Sequence, residues 1–471
     1  MASNTRAIPG PGDQLTAQSL PISQNIVDGV RSDDCAVRLE ATTKLRRLLT
    51  RNPQNTIQSI IRCSILPSLI GMLSAEDIPL MRCSASILLE VTASSSEEIQ
   101  AVADEGAIPK LVSLFSSDSD EAKDYALSLL GNISGDCLPL RNAVMEAGGF
   151  ALFLDVLENP GKYTHHIMDV AVHALAFCTR LDSGGPFSDN IVSGTRALAI
   201  KILTFLFQTN QMISVLAKFI QSKENEPTSS VENALLALGR IVLTEASTCV
   251  AIKTGITPQL VQLASPASSW PLQHHALRCL AVLTLHGLDG IDSVIEAGGL
   301  ETFGLAITST HFENRSVGCS AAHCVLDGTP AQVKSLIASS IVPALAQVIC
   351  NEEYPEIRDQ AILALTTLSG KARGDEELHL MVEAGSIEAF CAILEPSDYR
   401  NSLFGLQGIM VIINQDWEGQ KEVVERLKTA GGVTRLRAIR DGVARQHQMI
   451  GDMAQRTLKK YFPESSQPAR V

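Results

Sequence analysis

EEIQAVADEGAIPKLVSLFSSDSDEAKDYALSLLGNI, residues 97–133, contains three helical segments and the turns that separate them. Residues 97–105 predict a short helix, because Ile99 and Val102 recur at a spacing of three while the polar positions face away. Gly106 then offers the left-handed conformation that a sharp corner requires. Pro109 falls in the first turn of a second helix, where its missing N–H removes no internal bond. Leu111, Val112, Leu114 and Phe115 supply the apolar stripe of that helix, and Ser116 to Asp120 form the next turn and cap. Residues 121–133 predict a third helix that directs Ala126, Leu127, Leu129 and Leu130 inward. Three such helices have no way to cover their own apolar face, so the segment is stable only when stacked between copies of itself.

Copies are present. The phrase that opens the second helix recurs around Pro67, Pro109, Ala151, Pro258, Glu301 and Pro343, and more weakly around Glu388 and Thr434. The steps from 67 to 109 to 151 are 42 and 42, and those from 258 to 301 to 343 are 43 and 42. A period near 42 is shared by armadillo and HEAT arrays. Gly or Pro at the short-helix corner favours armadillo. The sequence therefore predicts an all-α, right-handed α-solenoid of armadillo repeats, with about nine or ten units over residues 32–462, whose third helices line a concave groove. Residues 1–31 are expected to form a flexible arm and 463–471 a tail. The 107 residues from 151 to 258 are too many for two units, so an enlarged turn is expected near 181–195, with 181–193 protruding and a helix rejoining the stack from about Gly194.

On these residues the chain resembles the importin α (karyopherin α) family. The likeness runs through residues 36–73, the phrase Leu130-Gly131-Asn132-Ile133-Ser134-Gly135-Asp136, residues 291–300 and 327–332, and the ending Lys459-Lys460-Tyr461-Phe462. It covers about nine tenths of the chain and is weakest from 152 to 235. The resemblance implies a groove that holds an extended peptide, with a Trp and, four residues later, an Asn repeated on the third helices. Positions i and i+4 share a helix face, so stacked units turn each pair into two ladders. Here the pairs read Ser86 and Glu90, Ser128 and Asn132, His173 and Phe177, Leu236 and Arg240, Arg278 and Val282, then Cys319 and His323. No Trp stands at a ladder position, since the two in the chain are Trp270 and Trp417. Asn132 remains, and Asp136 matches the acid that the family pairs with a central signal lysine. Each lost cation–π contact removes roughly 0.5–2 kcal/mol, and Arg240 and Arg278 repel a cationic peptide. Residues 1–43 hold three arginines, five acids and no lysine, so they lack the basic arm that recruits importin β in the family.

The remaining composition narrows the function. With 38 Lys and Arg against 51 Asp and Glu, the net charge is −13, opposite to what direct nucleic-acid binding needs. Eleven cysteines without a C-x-x-C pair fit a reducing compartment, cytoplasm or nucleus. Neither a signal peptide nor a membrane span is expected. His165-His166 and His274-His275 lack the further ligands of a metal cage, and phosphate-loop, dinucleotide and nucleophile-elbow motifs are missing, so neither cofactor, metal nor catalysis is expected. The acidic turns at 116–121 and 224–226 are either solvated loops or a rim for a basic partner. Glu90, Asn132 and Asp136 are either a partner-binding patch or ordinary solvated groove positions. The leading expectation is an adaptor or dedicated chaperone that holds one protein segment in the groove. The alternatives are a divergent import receptor with a minimal site at Asn132 and Asp136, and a structural scaffold. Phe177, Val282 and Leu236 make the middle of the groove apolar, and a partner, the enlarged loop or a second copy of the chain would cover it.

Overall fold

The ladders depend on which face each third helix turns outward. The computed structural model describes residues 22–74, 76–159, 162–178, 210–222, 228–442 and 448–463, and among them every regular element is a helix. The stretch read first folds as its pattern dictates. Ser95 and Glu98 form a capping box, the Glu98 carboxylate accepting from the Ser95 amide at 3.0 Å, and the short helix Ser96–Asp104 follows. Gly106 turns the corner at φ 80°, ahead of Ala107–Phe115. Ser119 accepts from the Ala122 amide at 3.3 Å and opens the long helix Asp120–Asp136. Ile99, Val102, Leu111, Leu114, Phe115, Leu127 and Leu130 are buried. Val112 is only half-buried.

The third helices are α1 (Cys35–Arg51), α2 (Ile78–Thr92), α3 (Asp120–Asp136), α4 (His165–Cys178), α5 (Thr228–Ile241), α6 (Trp270–Leu285), α7 (Phe312–Leu326), α8 (Pro355–Lys371), α9 (Tyr399–Asn414) and α10 (Gln448–Tyr461). Each packs on the next of its own unit, and shorter helices cover one side, giving an all-α solenoid of armadillo repeats. Small residues set the closest approaches: a Cβ at Gly131 of α3 would lie 2.8 Å from the Ala174 Cβ of α4. The left-handed corner recurs at Gly148, Gly298 and Gly385, with φ of 88°, 82° and 86°. Before the corner at Ile65 the same role falls to Ser64, at φ 49°.

The chain divides into two compact units, Met1–Ile191 and Val192–Val471. The first contains α1 to α4, the second α5 to α10. No single helix among the described residues is long and apolar enough to cross a membrane.

The N-terminal boundary needs correction. Packing begins before Ser32: a helix Gln24–Val30 buries Val27 and Val30, and Ile22 is only 3% exposed. Arg31 donates to the Cys63 and Ser64 carbonyls at 2.6 and 3.2 Å, tying this segment to the first corner. Three apolar side chains in a polar, Ser- and Gln-rich stretch suffice once α1 supplies a surface to cover. The enlarged turn and the rejoining helix fall largely outside the described residues, as do residues 1–21, the turn at 224–226 and the tail beyond Pro463.

Candidate functional site

In the first unit, buried residues fix the register. Leu80, Ser84 and Leu88 of α2 correspond to Ala122, Ala126 and Leu130 of α3, and these to Ile167, Ala171 and Leu175 of α4. Ser86, Ser128 and His173 therefore occupy one row, and Glu90 and Asn132 the row one turn later. Phe177 continues that second row along the backbone of α4; its side chain lies outside the described residues.

The geometry shows which of these side chains are occupied. The Ser86 hydroxyl donates to its own helix at the Cys83 carbonyl, 3.1 Å away. The Asn132 amide donates to Thr92 Oγ1 of α2 at 3.2 Å, and Asp136 accepts from Ser96 Oγ at 2.7 Å. Asn132 and Asp136 thus tie α3 to the preceding repeat, and each keeps an oxygen as acceptor. Glu90 is exposed. Toward the start of the same helices, Arg82 pairs with Glu121, and His166 lies 3.2 Å from Asp124. α2 is therefore joined to α3, and α3 to α4, by a polar contact as well as by the core.

In the second unit, Ala234, Leu235, Ala237 and Leu238 of α5 correspond to Ala276, Leu277, Cys279 and Leu280 of α6, and these to Gly318, Cys319, Ala321 and Ala322 of α7. This places Leu236 with Arg278 and Arg240 with Val282. It also overturns one expectation. Cys319 is 1% exposed and belongs to the core row of Leu277, so the ladder positions of α7 are Ser320 and Cys324, and His323 sits one residue off the row. The step from α6 to α7 is 42 residues, as their first residues Trp270 and Phe312 show, whereas the pair Cys319 and His323 requires a step of 41.

Burial raises the Cys319 thiol to about 12, and the same cause holds Cys279 and Cys391 there, so none of the three is a reactive thiolate. His275, one turn before Cys279, is pulled down to about 4, first by burial and then by His274, Arg278 and Arg240. Its ring is neutral at physiological pH. The positive charge of this surface comes from the two guanidinium groups.

A row of exposed aromatic residues was not anticipated. Trp270, Phe312 and Tyr354 are 40%, 39% and 49% exposed and stand at the starts of α6, α7 and α8. Trp270 stacks on His274, with ring centroids 5.9 Å apart, and leans on His311 at 5.5 Å. Phe312 meets Tyr354 edge to face at 5.0 Å, with the Arg315 guanidinium 5.6 Å from the Tyr354 ring. The spacing of 42 between residues 270, 312 and 354 was the available signal, two turns ahead of the ladder positions. Among the described residues no three His, Cys, Asp or Glu side chains converge as metal ligands would.

A family model, the armadillo/β-catenin-like repeat, matches residues 95–135, the unit read first. Importin subunit alpha-1b of Oryza sativa is 34% identical over 155 residues, which cover 31% of this chain and 29% of that protein. Importin subunit alpha-2 of Arabidopsis thaliana is 32% identical over 155 residues, again 29% of its length, so the chain matches under a third of these two relatives. Importin subunit alpha-5 of the same plant is 26% identical over 401 residues, 84% of this chain and 72% of that one. A crystal structure of an engineered protein aligns with 93% of this chain at a TM-score of 0.73 and 21% identity, a likeness of fold. The chain is a divergent, importin-α-like armadillo-repeat protein.

Proposed function

We propose that the chain is a non-enzymatic adaptor or dedicated chaperone of the cytoplasm or nucleus that holds a specific protein segment along the outward rows of its third helices. One observation carries this reading: the described helices and corners of the repeats are intact, while the outward rows hold Ser, Glu, His, Leu and Arg in place of a repeated Trp and Asn. An intact repeat frame with a changed recognition surface suits a different client. Affinity-capture from extract followed by cross-link mapping should place the client on α2 and α3. Glu90→Ala combined with Asn132→Ala should weaken its capture, and an unchanged binding constant for every client recovered removes the reading. Asn132 also bonds Thr92, so Thr92→Val serves as the control that breaks this contact and leaves the row unchanged.

A second reading is favoured by Asn132 and Asp136, one turn apart at the end of α3 and both able to accept a hydrogen bond: a divergent import receptor for a basic segment. Titration with a lysine-rich signal peptide decides between the two. Tight binding lost in Asp136→Ala supports import, and no saturation at tens of micromolar removes it. Import would also need an importin β contact outside residues 1–43.

A further inference from the structure

The outward rows of the first unit begin on α1. Ala41, Thr42, Leu45 and Leu49 of α1 are buried and correspond to Ser84, Ala85, Leu88 and Thr92 of α2, a step of 43 residues that the first residues Cys35 and Ile78 also show. Arg47 therefore opens the row of Glu90 and Asn132, and Arg51 opens the row one turn later, which passes Ser94 and reaches Asp136. The chain carries −13 overall, yet residues 44–51, KLRRLLTR, hold Lys44, Arg46, Arg47 and Arg51 and no acid. All four cations are exposed. Lys44 pairs with Glu40 at 2.6 Å, whereas among the described residues no carboxylate lies within ion-pair distance of Arg46, Arg47 or Arg51. On the neighbouring helices Glu121 is held by Arg82 and Asp124 faces His166, so the acid next to Arg47 in its row is the exposed Glu90. The helix C-terminus favours a cation at Arg51, but its influence ends within the last turn and does not account for Arg46. Arg47 and Arg51, four residues apart on one face, repel each other.

We propose that the client segment held by the first unit carries an acidic end that lies on α1, its carboxylates on Arg47 and Arg51 with Arg46 beside them. The proposal rests on the adaptor reading above and names the chemistry of its client. Guanidinium forks bind carboxylates in two-pronged, charge-assisted fashion, and a carboxylate between Arg47 and Arg51 removes their repulsion. The two arginines are about 6 Å apart along the helix axis. Alternate side chains of an extended segment are about 6.7 Å apart, so acids at every second position match them. The rows change sign after α1, and Glu90 marks where the acidic stretch ends: beyond it Glu90, Asn132 and Asp136 accept from donors of the same segment. At physiological ionic strength the screening length is about 8 Å, so the local arginines outweigh the distant net charge.

The test is an array of synthetic peptides, probed with the full chain, in which acids stand at alternate positions of one end, are scattered, or are replaced by amides. Peptides with the acidic end should be retained best, and retention should fall as salt rises. Arg47→Glu combined with Arg51→Glu should reduce their retention about tenfold at an unchanged unfolding midpoint. Arg62→Glu makes the same kind of charge change on the helix Pro53–Arg62, away from these rows, and should leave retention unchanged. Should the double Glu variant fail to fold, Arg47→Gln with Arg51→Gln carries the comparison. Retention indifferent to the acids, or lowered as much by Arg62→Glu, overturns the proposal. So does a single-stranded RNA oligonucleotide that binds through Arg47 and Arg51 while acidic peptides do not. In each of these cases clients captured on α2 and α3 leave the adaptor reading standing. An array that retains nothing, together with an extract that yields no client, overturns both.

Discussion

Ser64 occupies, at φ 49°, a corner position that Gly106, Gly148, Gly298 and Gly385 occupy elsewhere. A side chain in that region costs roughly 1–2 kcal/mol relative to glycine. Ser64→Gly should therefore stabilise the first unit by about 0.5–1 kcal/mol, the gain being reduced by the greater freedom of glycine in the unfolded chain. Gly106→Ala is the converse case. Nothing lies within 4 Å of the added Cβ, so the expected loss of about 1–2 kcal/mol is conformational and not steric. Urea unfolding of both variants checks the pair, and equal midpoints would mean the corners are relaxed. His275 gives a pH prediction. Its pKa is depressed from 6.5 to about 4, so the folded state prefers the neutral ring. Stability from this residue is complete above pH 6.5 and is lost as pH falls from 6.5 toward 4, because the unfolded chain binds the proton first. Carboxylates also titrate near the lower end of this window. The comparison is therefore of melting temperature against pH for the wild type and His275→Gln, with a flatter profile expected for the variant.

At the scale of elements, contacts between successive repeats are mostly apolar, with a few buried polar clamps. One such buried pair joins α7 to the segment before α8: Arg315 Nε lies 2.7 Å from Glu352 Oε2, with side chains 13% and 6% exposed. The other Glu352 oxygen accepts from the amides of Glu353 and Tyr354 at 3.1 Å each, and Arg315 also donates to the Ser309 and Thr310 carbonyls. Removing the carboxylate charge strands a buried guanidinium. Glu352→Gln should cost about 3 kcal/mol, read as faster amide exchange in α7 and α8. Glu352 and Arg315 also orient Tyr354 and Phe312, so the same variant should loosen the aromatic row. Intrinsic tyrosine fluorescence reports that second effect.

For the whole molecule, two compact units built from repeats that pack on neighbours imply unfolding in parts. Urea denaturation should be broad, with a slope well below that of one cooperative unit of this length. Glu352→Gln should leave exchange in α2 and α3 unchanged while accelerating it in α7 and α8. A single sharp transition, or equal acceleration everywhere, would contradict a nearest-neighbour solenoid.

What the sequence determined by itself was periodic and local. The 42-residue spacing, the Gly106 corner and the inward Leu127 and Leu130 were legible because helix faces and corners follow from near neighbours along the chain. The positions read as pairs in α2, α3, α5 and α6 keep one register from repeat to repeat for the same reason. The tertiary structure decided what depends on contacts between repeats. It moved the ladder of α7 from Cys319 to Ser320, because a one-residue slip turns a helix by about 100° and exchanges core for surface. It also packed Val27 and Val30 against the first repeat and engaged Asn132 and Asp136 with Thr92 and Ser96. Bonds between residues forty positions apart leave no local pattern, since they exist only once stacking brings two repeats together.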